Sequence, residues 1–423
     1  GVERTYDSYL RGADGWKTVE VDAAGRPIEF IENVAAIAGN NLILTIDGDL
    51  QKAAEDAIVE GIQRAHQDAF TNAAGGAVVA LDPRTGEILA MASYPDYDPS
   101  LWVGGIEQEA YEELNAEEAN YPLFNRALNG LYPAGSTFKP FVAAVAMNAG
   151  VVTPDEIIFC DGSFERAGQK WKDWTTDGHG NVNLVQAIME SCDVFFYNMG
   201  SRLYDLSGAV FQEGIRRFGF GEPTTGIDLP GETNKSRVPD KTWKREYYKD
   251  AEAQLWKPGD EINLAIGQGD LLVTPLQLAT ATAAIANGGT RWVPHVGLQI
   301  TDASGRVIWQ YEPESASVGI TKDKQDNDIL SIVRKGMRLV TSDAWGGTAY
   351  AAFWGFPVVV GGKTGTAQKP GQDDYALFMG YAPANATTEP TIVVVAVIEQ
   401  GGHGSSVASP VVRRVMESYF GLP

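Results

Sequence analysis

The chain has 423 residues and a formal net charge of −22, from 33 Lys+Arg against 55 Asp+Glu. At roughly 150 residues per domain this length allows two or three domains and a sizeable core, and 44% hydrophobic with 21% charged residues is a globular composition. So acidic a surface, with no Lys/Arg run longer than a dipeptide, argues against a phosphate backbone as partner, and nucleic acid is not expected.

The opening residues are too polar for a signal peptide, and the longest apolar stretch, between Thr391 and Glu399, falls far short of the ~18 to 20 residues of a membrane helix. As given, the chain reads as soluble. Residues 1–40 differ from the rest: a polar Gly-Ala-Asp-Gly stretch, then a hairpin pattern in WKTVEVDAAGRPIEFIE, with Ala23-Ala24-Gly25 between two alternating runs. From Asn41 a short strand (NLILTID) precedes a helix over about 50–65, whose apolar positions recur three and four apart. Two strands, GGAVVALD and EILAMASY, flank the turn Pro83-Arg84-Thr85-Gly86. Residues 121–282 are mostly helical and loop-rich, and the last third returns to strands in GFPVVVGG, YALFMGYA and TIVVVAVIEQ before a closing helix over 409–419. This order predicts one sheet assembled from both chain ends, with a helical lobe inserted.

Chemistry concentrates in three short strings. Ser136 and Lys139 lie three apart at the start of an apolar helical run, a spacing that stacks hydroxyl and amine on one helix face. A serine hydroxyl needs a base, and a lysine whose pKa is lowered by burial or a neighbouring cation can serve. Composition alone yields about 0.6 such spacings, so the pair is weak by itself and equally describes a capped helix with a surface lysine. Ser191-Cys192-Asp193 precedes the helical run VFFYNMGSRL, and Lys363-Thr364-Gly365 ends the strand FPVVVGG. Chance predicts only about 0.1 Lys-Thr-Gly, which makes all three in order a specific signal.

On these residues the sequence resembles the serine penicillin-recognising enzymes, whose pattern runs S-x-x-K, S-x-N or S-x-D, K-T-G. The resemblance extends over 41–423 and includes FNRAL, Ile266–Gly269 and KTGTAQ. Within that group it is similar to the class B penicillin-binding proteins, and Asp193 in the third position of the middle motif looks most like the elongation-specific type, penicillin-binding protein 2. The resemblance implies an α/β (α+β) fold with a central antiparallel five-stranded sheet flanked by helices, plus a helical lobe. Residues 1–40 would be the remnant of a pedestal, dimerisation-type module and 41–423 the transpeptidase domain.

It also implies a D,D-transpeptidase that cross-links peptidoglycan stem peptides through a serine acyl-enzyme and is trapped by β-lactam antibiotics. Ser136 would be the nucleophile, Lys139 its base, Ser191 the proton relay to the leaving D-alanine, and Lys363 a source of positive potential. The backbone N–H groups of Ser136 and Thr366 would form the oxyanion hole. Thr364, Gly365 and Thr366 would bind substrate, Gly365 being glycine so that no side chain obstructs it. Asp193 favours a charged Lys139 and Lys363 disfavours it, so the base is either Lys139 or a shared Lys139, Ser191, Asp193 network.

Some penicillin-binding protein 2 sequences carry a zinc site between the first two motifs. Here Asp161, Asp173, His179 and Cys192 supply a donor set suited to tetrahedral zinc. The last two steps match that pattern and the first is shorter, so Cys160 or Asp177 could replace Asp161. The ion would be structural, with no cofactor needed for catalysis. A Cys160–Cys192 disulfide, or neither bond, are the other readings. Trp171, Trp174 and Trp243 read as packing.

A serine β-lactamase is the rival enzyme, though no glutamate to activate deacylating water is identifiable, and a β-lactam-binding sensor is the rival from another class. The resemblance implies an anchored enzyme on the outer face of the bacterial cell membrane, its single-pass anchor not in this chain. Its partners would be a SEDS-family lipid II polymerase and the membrane proteins of the elongation complex. Lys139 and Lys363 should make the cleft locally positive on an acidic protein.

Overall fold

The computed structural model describes residues 1–206 and 208–422. At the N-terminus, β1 (Trp16–Val21) and β2 (Pro27–Val34) form the expected antiparallel hairpin, with Trp16 opposite Val34. Nearly all of its side chains are exposed, Phe30 and Ile31 among them. Then come β3 (Asn41–Leu44), α1 (Gly48–Gln67), β4 (Gly75–Leu81) and β5 (Ile88–Tyr94). Asp47 caps α1, its carboxylate accepting from Leu50 N at 2.9 Å.

The inserted lobe holds α2 (Lys139–Ala149), α3 (Leu184–Met189), α4 (Asp193–Tyr204) and α5 (Pro275–Ala286). Next are β6 (Gly297–Thr301), β7 (Val307–Gln310) and α6 (Ile329–Ser342). The chain closes with β8 (Gly361–Ala367), β9 (Tyr375–Ala382), β10 (Ile392–Glu399) and α7 (Ser409–Tyr419).

The expected sheet forms, antiparallel throughout, in the order β8-β9-β10-β4-β5. Strands β4 and β9 are buried along their whole length, because helices cover both faces. Met379 on β9 accepts a contact from Thr282 Oγ1 of α5 at 3.1 Å, whereas a Cβ on its neighbour Gly380 would face Met416 of α7. Successive residues of a strand point to opposite faces, so α5 and α7 sandwich the sheet. On the α7 side, Gly61 of α1 lets that helix close on Val411 and Ile398.

Two expectations need correction. The NLILTID strand does not join this sheet; β3 pairs with β6 in a separate three-stranded sheet ordered β7-β6-β3. And the FPVVVGG strand begins only at Gly361, so Lys363-Thr364-Gly365 lies in the middle of β8 and not at its end. Only from Gly361 onward does the chain find a partner in β9, and β8 is the edge strand of the sheet, with its free edge turned to the inserted lobe.

Candidate active site

Ser136 sits in a 3₁₀ turn, Gly135–Phe138, that runs straight into α2 at Lys139. Gly135 has φ +53°, and a Cβ on it would lie 2.6 Å from Thr366 O, so glycine lets the turn pack directly against β8. The turn is pinned from behind: Gly135 N donates to Gly267 O at 2.9 Å, and Gln268 Nε2 donates to Thr366 O at 3.3 Å. Thr137 and Phe138 are buried while Ser136 stays partly open. The motif thus presents its hydroxyl outward from a rigid support.

Lys139 is wholly buried, and its ammonium donates to Ser191 O at 2.7 Å, Ser191 Oγ at 3.1 Å and Asp193 Oδ1 at 2.7 Å. Those three bonds use every donor an ammonium has. Among the described residues none of its bonds goes to Ser136. The ammonium thus ties Ser191 and Asp193 into one hydrogen-bonded group. Ser191 adopts φ +59°, an uncommon conformation for a residue with a Cβ. Cys192 and Asp173 hold that turn in place. Cys192 is the N-cap of α4, its sulfur accepting from Phe195 N at 3.4 Å, and Asp173 Oδ2 accepts from Val194 N at 3.0 Å.

Lys363 is also fully buried, but among the described residues it has no carboxylate partner; its Nζ donates to Thr364 O at 3.1 Å. Burial, then the charge of Lys139, pull its pKa well below the ordinary lysine value, and Asp193 opposes them weakly. Lys139 is paired with Asp193, and the lowered pKa of Lys363 works against the charge that a positive cleft would need from it.

Along β8, Thr366 is the partly exposed residue, whereas Thr364 is buried and shares a hydrogen bond with Thr348 Oγ1 at 2.8 Å. Thr366 turns its carbonyl away from β9, towards Gln268. In an antiparallel strand a residue's N–H and C=O point the same way, so the Thr366 N–H also faces the Ser136 turn. Packing alone requires glycine at 365. A Cβ there would meet Thr137 Cγ2 at 2.7 Å, Leu377 Cβ at 3.1 Å and Ala134 O at 3.2 Å. Glycine is needed here because the strand presses on the Ser136 turn.

Asp173, His179 and Cys192 come together with Cys160, and Asp161 does not join them. Cys160 ends a short strand, Ile158–Cys160, that pairs with Gly180–Val182, which draws His179 alongside. Its neighbour Asp161 projects outward, where it accepts from Ser163 N at 3.0 Å, and Asp177 is exposed. Cys160 Sγ lies 3.5 Å from both Asp173 Oδ2 and His179 Nδ1, and Asp173 lies 3.6 Å from Cys192 Sγ and 3.7 Å from His179 Nδ1. Ligands of one tetrahedral zinc, at bond lengths of about 2.0–2.3 Å, stand about 3.3–3.8 Å apart, so the donor spacing fits such an ion. Both cysteines are free thiols, with no disulfide between them. Burial raises the pKa of both, as does the nearby Asp173 charge.

Gln268 and Thr348 were not among the expected site residues, and Cys160 stood only as an alternative to Asp161. Nothing local marks Thr348, which follows two glycines in a loop; only the fold brings it to β8. The three tryptophans do not cluster: Trp171 tilts against Phe164 and Tyr197, Trp243 stacks on Tyr247 at 4.7 Å, and Trp174 lies beside His179.

Comparison with known proteins agrees with this geometry. Residues 76–417 match the penicillin binding protein transpeptidase domain, and residues 1–44 match the penicillin-binding protein dimerisation domain. The peptidoglycan D,D-transpeptidase MrdA of Haemophilus influenzae is 35% identical over 99% of this chain and 62% of its own length. MrdA of Escherichia coli is 33% identical over 99% and 63%. The chain thus spans less than two thirds of these relatives. A crystal structure of Pseudomonas aeruginosa PBP2 in complex with WCK 5153 is 36% identical, with a TM-score of 0.79 over 99% of this chain and 81% of that one. A Helicobacter pylori PBP2 studied in complex with MreC is 31% identical, with a TM-score of 0.81 over 99% and 72%. The chain belongs to the penicillin-binding protein transpeptidase family, with penicillin-binding protein 2 among its relatives.

Proposed function

We propose that the chain is a peptidoglycan D,D-transpeptidase of cell-wall elongation, acting through a Ser136 acyl-enzyme. The observation that carries the reading is the partly open Ser136 held against β8, beside a buried Lys139 whose donors all go to Ser191 and Asp193. Ser136 Oγ attacks the carbonyl between the two terminal D-alanines, and the new oxyanion lies between the N–H groups of Ser136 and Thr366. A saturated ammonium cannot accept a proton, so Lys139 first shares one with Asp193; the freed amine then takes the Ser136 proton. As the amide C–N bond breaks, Lys139 passes the proton it took from Ser136 to Ser191 Oγ, which gives its own proton to the departing D-alanine amine. Lys363 and the Thr366 hydroxyl face the substrate's terminal carboxylate. An amine from a second stem peptide then attacks the ester and frees Ser136.

β-Lactams present the same carbonyl and leave the serine acylated. The test is intact-mass analysis after incubation with penicillin: one adduct on the wild-type chain, persisting for many minutes, and none on Ser136→Ala. An adduct of equal yield on the variant refutes the nucleophile, and rapid loss of the adduct with turnover identifies a lactamase instead.

The reading carries a metal and a setting with it. Cys160, Asp173, His179 and Cys192 would hold a structural Zn2+, which supplies a fixed cross-link beneath the Ser191 turn and no chemistry. The substrate assigns the domain to the outer face of the cell membrane; no helix among the described residues is long and apolar enough to cross one. A relative is known in complex with MreC and another in a peptidoglycan synthase complex, which supports a SEDS-family lipid II polymerase and elongation-complex proteins as partners here.

A further inference from the structure

A concavity of about 540 Å³ opens where the C-terminal end of α5, the middle of α6 and the connection between β9 and β10 meet. Arg334, Lys335 and Arg338 of α6 line it, with Tyr381 at its base and Glu389 on its rim. On a chain of net charge −22, three cations in one pocket run against the surface as a whole. Among the described residues none of the three forms an ion pair with a carboxylate. Arg334 Nη1 donates to Ile285 O at 3.1 Å, and among the described residues its other donors and the Arg338 guanidinium have no hydrogen-bond partner.

Tyr381 is 1% exposed, and its hydroxyl likewise has no partner among the described residues. Burial raises its pKa and both arginines oppose that, which puts the two guanidinium groups in its neighbourhood.

We propose that this concavity binds a phosphoryl group, carried either by a soluble phosphate compound or by a lipid headgroup. Three cations against the single carboxylate of Glu389 leave an excess of about two positive charges, which a phosphate or diphosphate balances and a monoanion does not. Arginine forks match the oxygen spacing of a phosphoryl group, and the Tyr381 hydroxyl supplies a further donor from below. The site is remote from Ser136. Tyr381 pairs with Gly361, at the opposite end of β8 from Ala367, a separation of about 17–20 Å along the strands. It is therefore not part of the acylation chemistry.

The test measures inorganic pyrophosphate binding to the whole chain by calorimetry. In parallel, the chain is co-sedimented with phosphatidylcholine vesicles with and without phosphatidic acid. Saturable binding is expected in at least one arm, weakened at least tenfold in the Arg334→Gln, Arg338→Gln double variant and severalfold in Tyr381→Phe. Penicillin acylation should be unchanged in both, which reports folding independently. The exposed Lys335→Gln should weaken binding severalfold should the double variant not fold. Pyrophosphate binding without vesicle binding assigns a soluble ligand, and selective binding to phosphatidic acid assigns a headgroup. No saturable binding in either arm overturns the proposal. So does undiminished binding by a variant that acylates normally, or succinate binding as tight as pyrophosphate.

Discussion

Gly365→Ala tests the claim that the Lys-Thr-Gly strand and the Ser136 turn are held at a fixed separation by the absence of one side chain. The added Cβ would sit 2.7 Å from Thr137 Cγ2, about 0.7 Å inside ordinary contact, with Leu377 Cβ at 3.1 Å on the other side. Leu377 belongs to the neighbouring strand of the sheet, so the strand cannot retreat freely and the strain falls on the turn. Overpacking of this kind costs about 1–3 kcal/mol, and displacing a nucleophile by a good fraction of an ångström from its oxyanion donors costs about 10²-fold in rate. The assay is the second-order rate of acylation by a fluorescent penicillin, alongside a thermal melt. A fall of ~10–100-fold with a Tm lower by a few degrees is expected. Thr137→Ser removes the clashing methyl but keeps the Oγ1 bond to Ala134 O at 2.6 Å, so the double variant should regain most of the lost rate. Wild-type acylation by Gly365→Ala, or no recovery in the double variant, refutes the reasoning.

Other expectations follow from the same geometry. Purified protein should carry about one zinc per chain; Cys160→Ala should lose it and Asp161→Asn should keep it, and the opposite pattern in metal analysis would restore Asp161 as the ligand. Lys363→Met should raise Tm while nearly abolishing acylation, because it replaces a buried amine that has no carboxylate partner among the described residues. The folded-state pKa of Lys363 is depressed, so between that value and the unfolded one the unfolded chain binds more protons. Wild-type stability therefore rises with pH across that window, and the Tm advantage of Lys363→Met should shrink there; an advantage that grows with pH contradicts the assignment. Asp193→Asn removes the charge that holds the Lys363 pKa up. The alkaline limb of the acylation profile should then move to lower pH, and an unmoved limb would detach Asp193 from the network.

Much of the site could be read along the chain because its chemistry is carried by short contiguous strings. Ser136 and Lys139 are set by one helical turn, Ser191 and Asp193 by one helix start, and Lys363 to Thr366 by one strand, so each local geometry follows from spacing and backbone preference alone. That one sheet draws strands from both chain ends was legible for a similar reason, since strands covered on both faces read as continuous apolar runs; that it has five strands was implied only by the family resemblance.

What joins those strings could not be read, because it depends on residues far apart in sequence. Asp161 and Cys160 are adjacent and both chemically fit to bind zinc; which of them faces His179 and Cys192 is decided by the pairing of Ile158–Cys160 with Gly180–Val182. The requirement for glycine at 365 was evident, but its cause lies in Thr137 and Leu377, which the linear order does not place beside it. The partition of charge was equally hidden. Composition announced an acidic protein with two lysines in its motifs, and only packing could neutralise Lys139 with Asp193 while leaving Lys363 alone, since burial and distance set the energy of a charge. Sequence by itself determined which functional groups this protein has; the tertiary structure decided which of them meet.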